Sequence, residues 1–116
     1  MKLNTERHIT ETVEKGLYMK YIAVEFTFHT DIIEVPDHIA QSITKVQHKF
    51  DNWLYDKSND HGCWIMIGGQ KRAVSFDTSD FVNYINQYLL SDEACKAAIV
   101  QEHLSAPPDG MTSIFF

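Results

Sequence analysis

From Lys20 to His29 apolar and polar positions alternate: Ile22, Val24, Phe26 and Phe28 fall on one side, and Tyr21, Ala23, Glu25, Thr27 and His29 on the other. A period of two puts successive side chains on opposite faces of an extended chain, so the stretch predicts a strand with one buried face. Asp31 to Val35 either prolongs this strand or leaves it as a loop. At Pro36 the period changes. Ile39, Ile43, Val46, Phe50, Trp53 and Leu54 recur at intervals of three and four, with Gln41, Lys45, His48, Lys49 and Asn52 opposite. That spacing predicts a helix opened by Pro36 and Asp37, running to about Lys57 and covering the sheet with one stripe.

Ser58, Asn59, Asp60, His61 and Gly62 form a turn into the strongest local pattern in the chain. Cys63 to Ile67 is an unbroken apolar run, Gly68 and Gly69 suit the positive φ of a hairpin loop, and Lys71 to Phe76 returns with Ala73, Val74 and Phe76. Cys63 to Ile67 is apolar on both faces, as a covered interior strand would be, so either the topology departs from an edge placement of this strand or the N-terminal segment or another subunit covers it. Asp77 and Thr78 then cap a helix that begins with Ser79 and Asp80 and carries Phe81, Val82, Ile85, Tyr88 and Leu89 on one face. Ser91 caps a helical extension, Asp92 to His103, with Cys95, Ala98 and Ile99 as its apolar edge. Ala106 to Gly110 breaks the chain, and Met111 to Phe116 reads as a last strand.

The resulting fold class is α+β. About four mostly antiparallel strands carry helices on one face, in the strand and helix order of a ferredoxin-like fold. Phe26, Phe28, Ile43, Phe50, Trp53, Trp64, Phe76, Phe81 and Ile85 are the expected core. Residues 1–116 read as a single domain, with residues 1–18 as a peripheral segment in which Ile9 and Val13 suit a short helix. A chain of 116 residues, 44% apolar, builds one core. The polar start MKLNTERHITETVEKG lacks a secretory pattern and no run is long enough to span a bilayer, so a cytoplasmic location is expected.

The net charge of −6 is unevenly placed. Residues 1–72 hold 10 acids against 9 Lys or Arg, whereas residues 73–116 hold 6 acids against Lys96 alone. This argues against a nucleic-acid ligand, which needs clustered cations, and suits a basic partner or simple solvation.

Candidate chemistry is sparse. The six histidines and two cysteines have no zinc-ligand spacing, so no metal and no cofactor is expected. His48 and His61, with Lys45 or Lys49 nearby, make an alternative: a small ribonuclease or phosphotransfer enzyme. Gly68, Gly69, Gln70 and Lys71 lack P-loop spacing and lead into a strand. A third alternative is an adaptor that forms homodimers through the Cys63 to Ile67 strand. Tyr84 and Tyr88 beside Asp77, Asp80, Asp92 and Glu93 suit a protein interface of rigid rings and steering charges, and equally suit half-buried core tyrosines.

The segment WIMIGGQKRAVSFDTSDFVNYINQYLL, Trp64 to Leu90, in a small acidic chain without chemical motifs, resembles bacterial immunity proteins that neutralise contact-dependent growth inhibition and related polymorphic toxins. Those proteins share no signature residues, so no position is carried over. The resemblance implies a cytosolic protein without catalytic activity that binds a toxin C-terminal domain, often a nuclease with a basic cleft, and blocks it.

Overall fold

The computed structural model describes residues 19–116. The expectations for residues 1–18 lie outside the described residues. The chain forms β1 (Met19–Glu25), β2 (Thr30–Pro36), α1 (Asp37–Gln41), α2 (Ile43–Tyr55), β3 (Trp64–Ile67), β4 (Gln70–Val74), α3 (Thr78–Tyr84), a π-helical turn (Ile85–Leu89), β5 (Ala98–Leu104) and β6 (Ser113–Phe115). It is an α+β fold with a four-stranded sheet in the order β5-β2-β1-β6 and a separate two-stranded sheet, β3-β4. Two pairings of the larger sheet are antiparallel, and β6 runs parallel to β1.

The expected strand from Lys20 to His29 is in fact the first half of a hairpin. Glu25 pairs with Thr30, and the Phe26 N–H donates to the His29 carbonyl at 2.8 Å across the turn. Phe28 sits at the tip and is 93% exposed, whereas Ile22 and Val24 are buried as expected. The turn was hidden because Phe-Thr-Phe-His contains none of the residues that punctuate turns. Asp31 to Val35 supplies the second strand.

The predicted helix from Asp92 to His103 is absent, and β5 occupies its second half. Its Ala content favours a helix, but β2 has an edge whose N–H and C=O groups need partners, and Ile99 and Val100 suit a strand. Asn86 fixes the approach. Its side-chain amide donates to the Ala97 carbonyl at 2.9 Å and accepts from the Ala97 N–H at 2.7 Å, as a neighbouring strand would. The ladder to β2 is bulged near Asp31, and His103 adopts a left-handed φ of 64°.

With β2 and β5 in the main sheet and the glycine hairpin outside it, the chain order and strand order differ from the ferredoxin-like pattern. The long helix is also interrupted, at Ser42, whose φ of −117° separates α1 from α2. The stripe survives the break: Ile43, Val46, Phe50 and Leu54 are buried against Ile22, Val24, Ile33 and Val35 of the sheet. Phe81, Val82, Tyr84 and Ile85 complete the same core from α3 and the turn that follows. Phe50 lies at its centre, with ring centroids of Phe81 at 5.2 Å and of Phe76 and Tyr84 at 5.4 Å. Phe116 adds a ring at 5.8 Å because β6 delivers the chain end there. Of the expected core, Ile43, Phe50, Phe81 and Ile85 are fully inside, and Phe26, Trp53, Trp64 and Phe76 are half-buried.

Candidate protein-binding surface

The β3-β4 hairpin lies outside the larger sheet, and no described strand covers β3. Ile65, Met66 and Ile67 are 42%, 53% and 60% exposed. The run is apolar on both faces, yet among the described residues neither strand of the ribbon has a further strand beside it. Gly68 and Gly69, at φ of 60° and 77°, make the tight turn that brings Ile67 opposite Gln70.

The ribbon is moored to the end of α2 through polar groups. Asn59 donates to the Trp53 carbonyl at 2.8 Å, and the Trp64 indole N–H donates to the Asn59 carbonyl at 2.7 Å. The Lys71 ammonium reaches the carbonyls of Lys57 (2.6 Å) and Asn59 (3.1 Å) and the Asp60 carboxylate (2.5 Å). This ion pair and hydrogen bond hold Asp60 below its ordinary ionisation range.

His61 sits in the same joint. Its Nε2 lies 2.7 Å from the Leu54 carbonyl, which can only accept, so Nε2 carries the proton. Nδ1 is then the acceptor for the Cys63 N–H at 3.2 Å. Both ring nitrogens therefore serve the main chain in the neutral tautomer. His48 stands exposed on α2, and among the described residues no hydrogen bond or ring contact joins it to His61. Of the two histidines considered as an acid–base pair, His61 thus has both ring nitrogens taken by the main chain.

Rings continue from this joint across the surface. His61 stacks on Trp64 (centroids 5.0 Å apart, planes 11° apart) and lies 4.7 Å from Trp53. Trp53 in turn meets Tyr84 at 5.1 Å and Tyr88 at 5.7 Å. Tyr84 ends α3 and Tyr88 lies in the π-helical turn, which is closed by the Leu90 N–H to the Ile85 carbonyl at 3.0 Å, and the two rings are 5.2 Å apart. Tyr84 is buried, and burial followed by the neighbouring Tyr88 pushes its phenol up. Tyr88 is half exposed, at 50%. Of the two tyrosines singled out from the sequence, the structure leaves Tyr88 as the accessible one.

The four acids separate into two pairs. Asp77 and Asp80 form a reciprocal cap on α3: Asp77 accepts from the N–H groups of Ser79 (3.0 Å) and Asp80 (3.3 Å), and Asp80 accepts from the Asp77 N–H at 2.9 Å. Asp80 also approaches Cys63, whose thiol is pushed up by burial first and then by the Asp80 and Asp77 carboxylates. Asp92 and Glu93 lie past the far end of the helical segment, beyond the π-helical turn that ends at Leu89. Asp92 is exposed, and Glu93 pairs with His38 at 3.3 Å.

A second cluster, around Asp31, had no sequence signal. This buried carboxylate accepts from the Thr78 hydroxyl at 2.5 Å and the His103 N–H at 3.0 Å, with the His29 Nε2 3.3 Å away. A cavity of about 320 Å³ opens over it, lined also by Asp77, Ser79 and Glu102. The local text, His-Thr-Asp, is unremarkable, and only the bulged β2–β5 pairing brings His103 to it.

Among the described residues, no group of three or more His, Cys, Asp or Glu is placed to hold a metal ion, and no helix is long and apolar enough to cross a membrane. Fold and surface together define an α+β domain that presents an apolar hairpin and a row of rings. Compared with known proteins, the chain matches no family, no curated protein and no solved structure.

Proposed function

We propose that this protein is a cytoplasmic immunity protein: it binds a basic toxin domain, of the nuclease kind, and neutralises it by covering it. The observation that carries the reading is the exposed β3 strand, Ile65 to Ile67, on a ribbon to whose edges no other described strand is paired. A two-stranded ribbon gains from a further strand or a covering surface, and exposed Ile and Met beside Trp and Tyr are the composition of an interface centre. Tyr88 extends this centre along the ring row. The acids Asp77, Asp80, Asp92 and Glu93 contribute the negative charge that steers a basic partner and sets the salt dependence of its arrival. The resemblance of Trp64 to Leu90 to immunity proteins supplies the partner class.

The test starts from the neighbouring reading frame: a toxin domain found encoded there is co-expressed with this chain. Wild-type protein should restore growth and form a stable complex, whereas an Ile65→Asp, Ile67→Asp variant that keeps its fold should bind at least about tenfold more weakly and fail to protect. Full protection by that variant would remove the hairpin from the contact. The same free strand favours a second reading, an adaptor that associates through β3 with its own copy. Sedimentation separates the two, since an adaptor forms concentration-dependent oligomers when alone and the immunity protein does not.

A further inference from the structure

His61 joins α2 to the ribbon by two bonds that only its neutral ring can make together. Nε2–H donates to the Leu54 carbonyl at 2.7 Å, near the end of α2, while Nδ1 accepts from the Cys63 N–H at 3.2 Å, one residue before β3. A second proton goes to Nδ1, because Nε2 already carries one. The Cys63 N–H then faces another donor, and β3 loses the bond that ties its start to the joint. The ribbon has little stability in reserve, since two strands alone are marginal and no other described strand pairs with them.

The groups around the ring do not offset that loss. Trp53 of α2 and Trp64 of β3, with centroids at 4.7 Å and 5.0 Å, are uncharged. Their faces favour a cation only weakly at a half-buried site, and a buried donor turned on a second donor costs more. Asp60, in the loop, favours a proton on His61. The Lys71 ammonium of β4 opposes it, and these two charges are paired at 2.5 Å, so they largely cancel. At the start of α3, Asp77 and Asp80 are engaged in their reciprocal cap and act on the Cys63 thiol.

We infer that His61 is a pH-sensitive catch on the β3-β4 surface: the neutral ring sets the ribbon for its partner, and protonation in mildly acid solution releases it. The inference rests on the immunity reading for what the ribbon docks against, but the catch is tested on the full chain alone. Amide exchange is followed by NMR from about pH 7.5 to about pH 5.5, where imidazoles titrate, and corrected for the pH dependence of exchange in an unstructured chain. Amides of β1 and β2 serve as the internal reference, for wild type, His61→Asn and His48→Asn.

In wild type, protection of Trp64–Val74 should fall about tenfold over this range while β1 and β2 hold theirs, the effect of losing one hydrogen bond. His61→Asn offers the Cys63 N–H a side-chain oxygen two residues away, as in an Asx turn, and has no proton to gain. Its ribbon protection, whatever the starting level, should stay within about twofold. His48→Asn should respond like wild type. The catch is overturned if ribbon protection in wild type is constant, if it falls together with β1 and β2, if the fall persists in His61→Asn, or if it disappears in His48→Asn. Should the reference amides show that His61→Asn is unfolded, wild type decides: the Cys63 amide proton must shift with the same midpoint as the His61 ring, and a Cys63 signal that ignores the ring overturns the catch. Toxin neutralisation enters none of these readings, so failure of the catch leaves the immunity proposal standing, and a chain that neutralises no toxin leaves the catch standing.

Discussion

Asp77 illustrates how one side chain can set a local structure and its response to pH. The Ser79 hydroxyl, 2.5 Å away, favours the carboxylate most; burial opposes it, and the main-chain N–H groups of Asp80 and Ser79 add to the lowering, so Asp77 ionises below its ordinary range. In the folded protein the group gives up its proton at lower pH than in the unfolded chain. Between the two values the unfolded chain holds the extra proton, so stability rises with pH there. The contribution is complete above the unfolded value of about 3.9 and is lost as acid takes the solution through the folded value. Asp77→Ala should therefore cost about 1 kcal/mol near neutral pH, from loss of the cap. Urea denaturation at a series of pH values should show that deficit shrinking below about pH 4. A deficit independent of pH would mean that the carboxylate charge plays no part. The cap itself was legible, since Asp-Thr-Ser-Asp before an apolar helical pattern is a start signal. The use of Asp80 against the Cys63 thiol was not, because it needs the hairpin to fold back on α3.

At the scale of elements, the β3-β4 ribbon depends on its mooring. Its own pairing is short, with one irregularity between Ile65 and Met66, and two strands alone are marginal in water. Lys71 supplies hydrogen bonds to two carbonyls and a carboxylate, while its ammonium lies over Trp64. Lys71→Met keeps the stem and removes those bonds. Amide exchange in Trp64–Val74 should then quicken by about tenfold, the equivalent of a net loss near 1.5 kcal/mol for charge-assisted bonds. Exchange in β1 and β2 should stay as it was, because the ribbon pairs with neither. If the ribbon amides are unaffected, the ring stack of Trp53, His61 and Trp64 is the true mooring. The glycine turn and both strands of this hairpin were readable from the chain. Its exposure was not readable, since an apolar run looks the same whether other protein covers it or a partner is awaited.

At the scale of the whole molecule, Asp31 ties together pieces far apart in the chain. One carboxylate oxygen takes the His103 N–H from β5 and the other takes the Thr78 hydroxyl at the start of α3, so two elements, β5 and α3, meet on β2. A buried charge held this way is costly to disrupt, because its donors are left without partners. Asp31→Ala should lower unfolding stability by about 3 kcal/mol in chemical denaturation, more than a typical surface change. It should also loosen the β2–β5 ladder, seen as faster amide exchange near His103. A loss under about 0.5 kcal/mol would class Asp31 with ordinary surface positions and remove it as a hub.

Periodicity and caps were sufficient for the α+β class, the α2 stripe, the glycine hairpin and the start of α3, because each is decided by neighbours within about four residues. Tertiary structure decided which strands share a sheet. The Phe-Thr-Phe-His turn and β5 exist because β1 and β2 offer edges that must be paired, a demand that no local propensity records. The same holds for the surface. The tyrosines and acids were visible as residue types, but only packing buried Tyr84, exposed Tyr88, set the acid pairs at opposite ends of one helical segment and placed Trp53, His61 and Trp64 in a row. Local sequence determines which elements form, and burial, which depends on the whole chain, determines which side chains remain for a partner to touch.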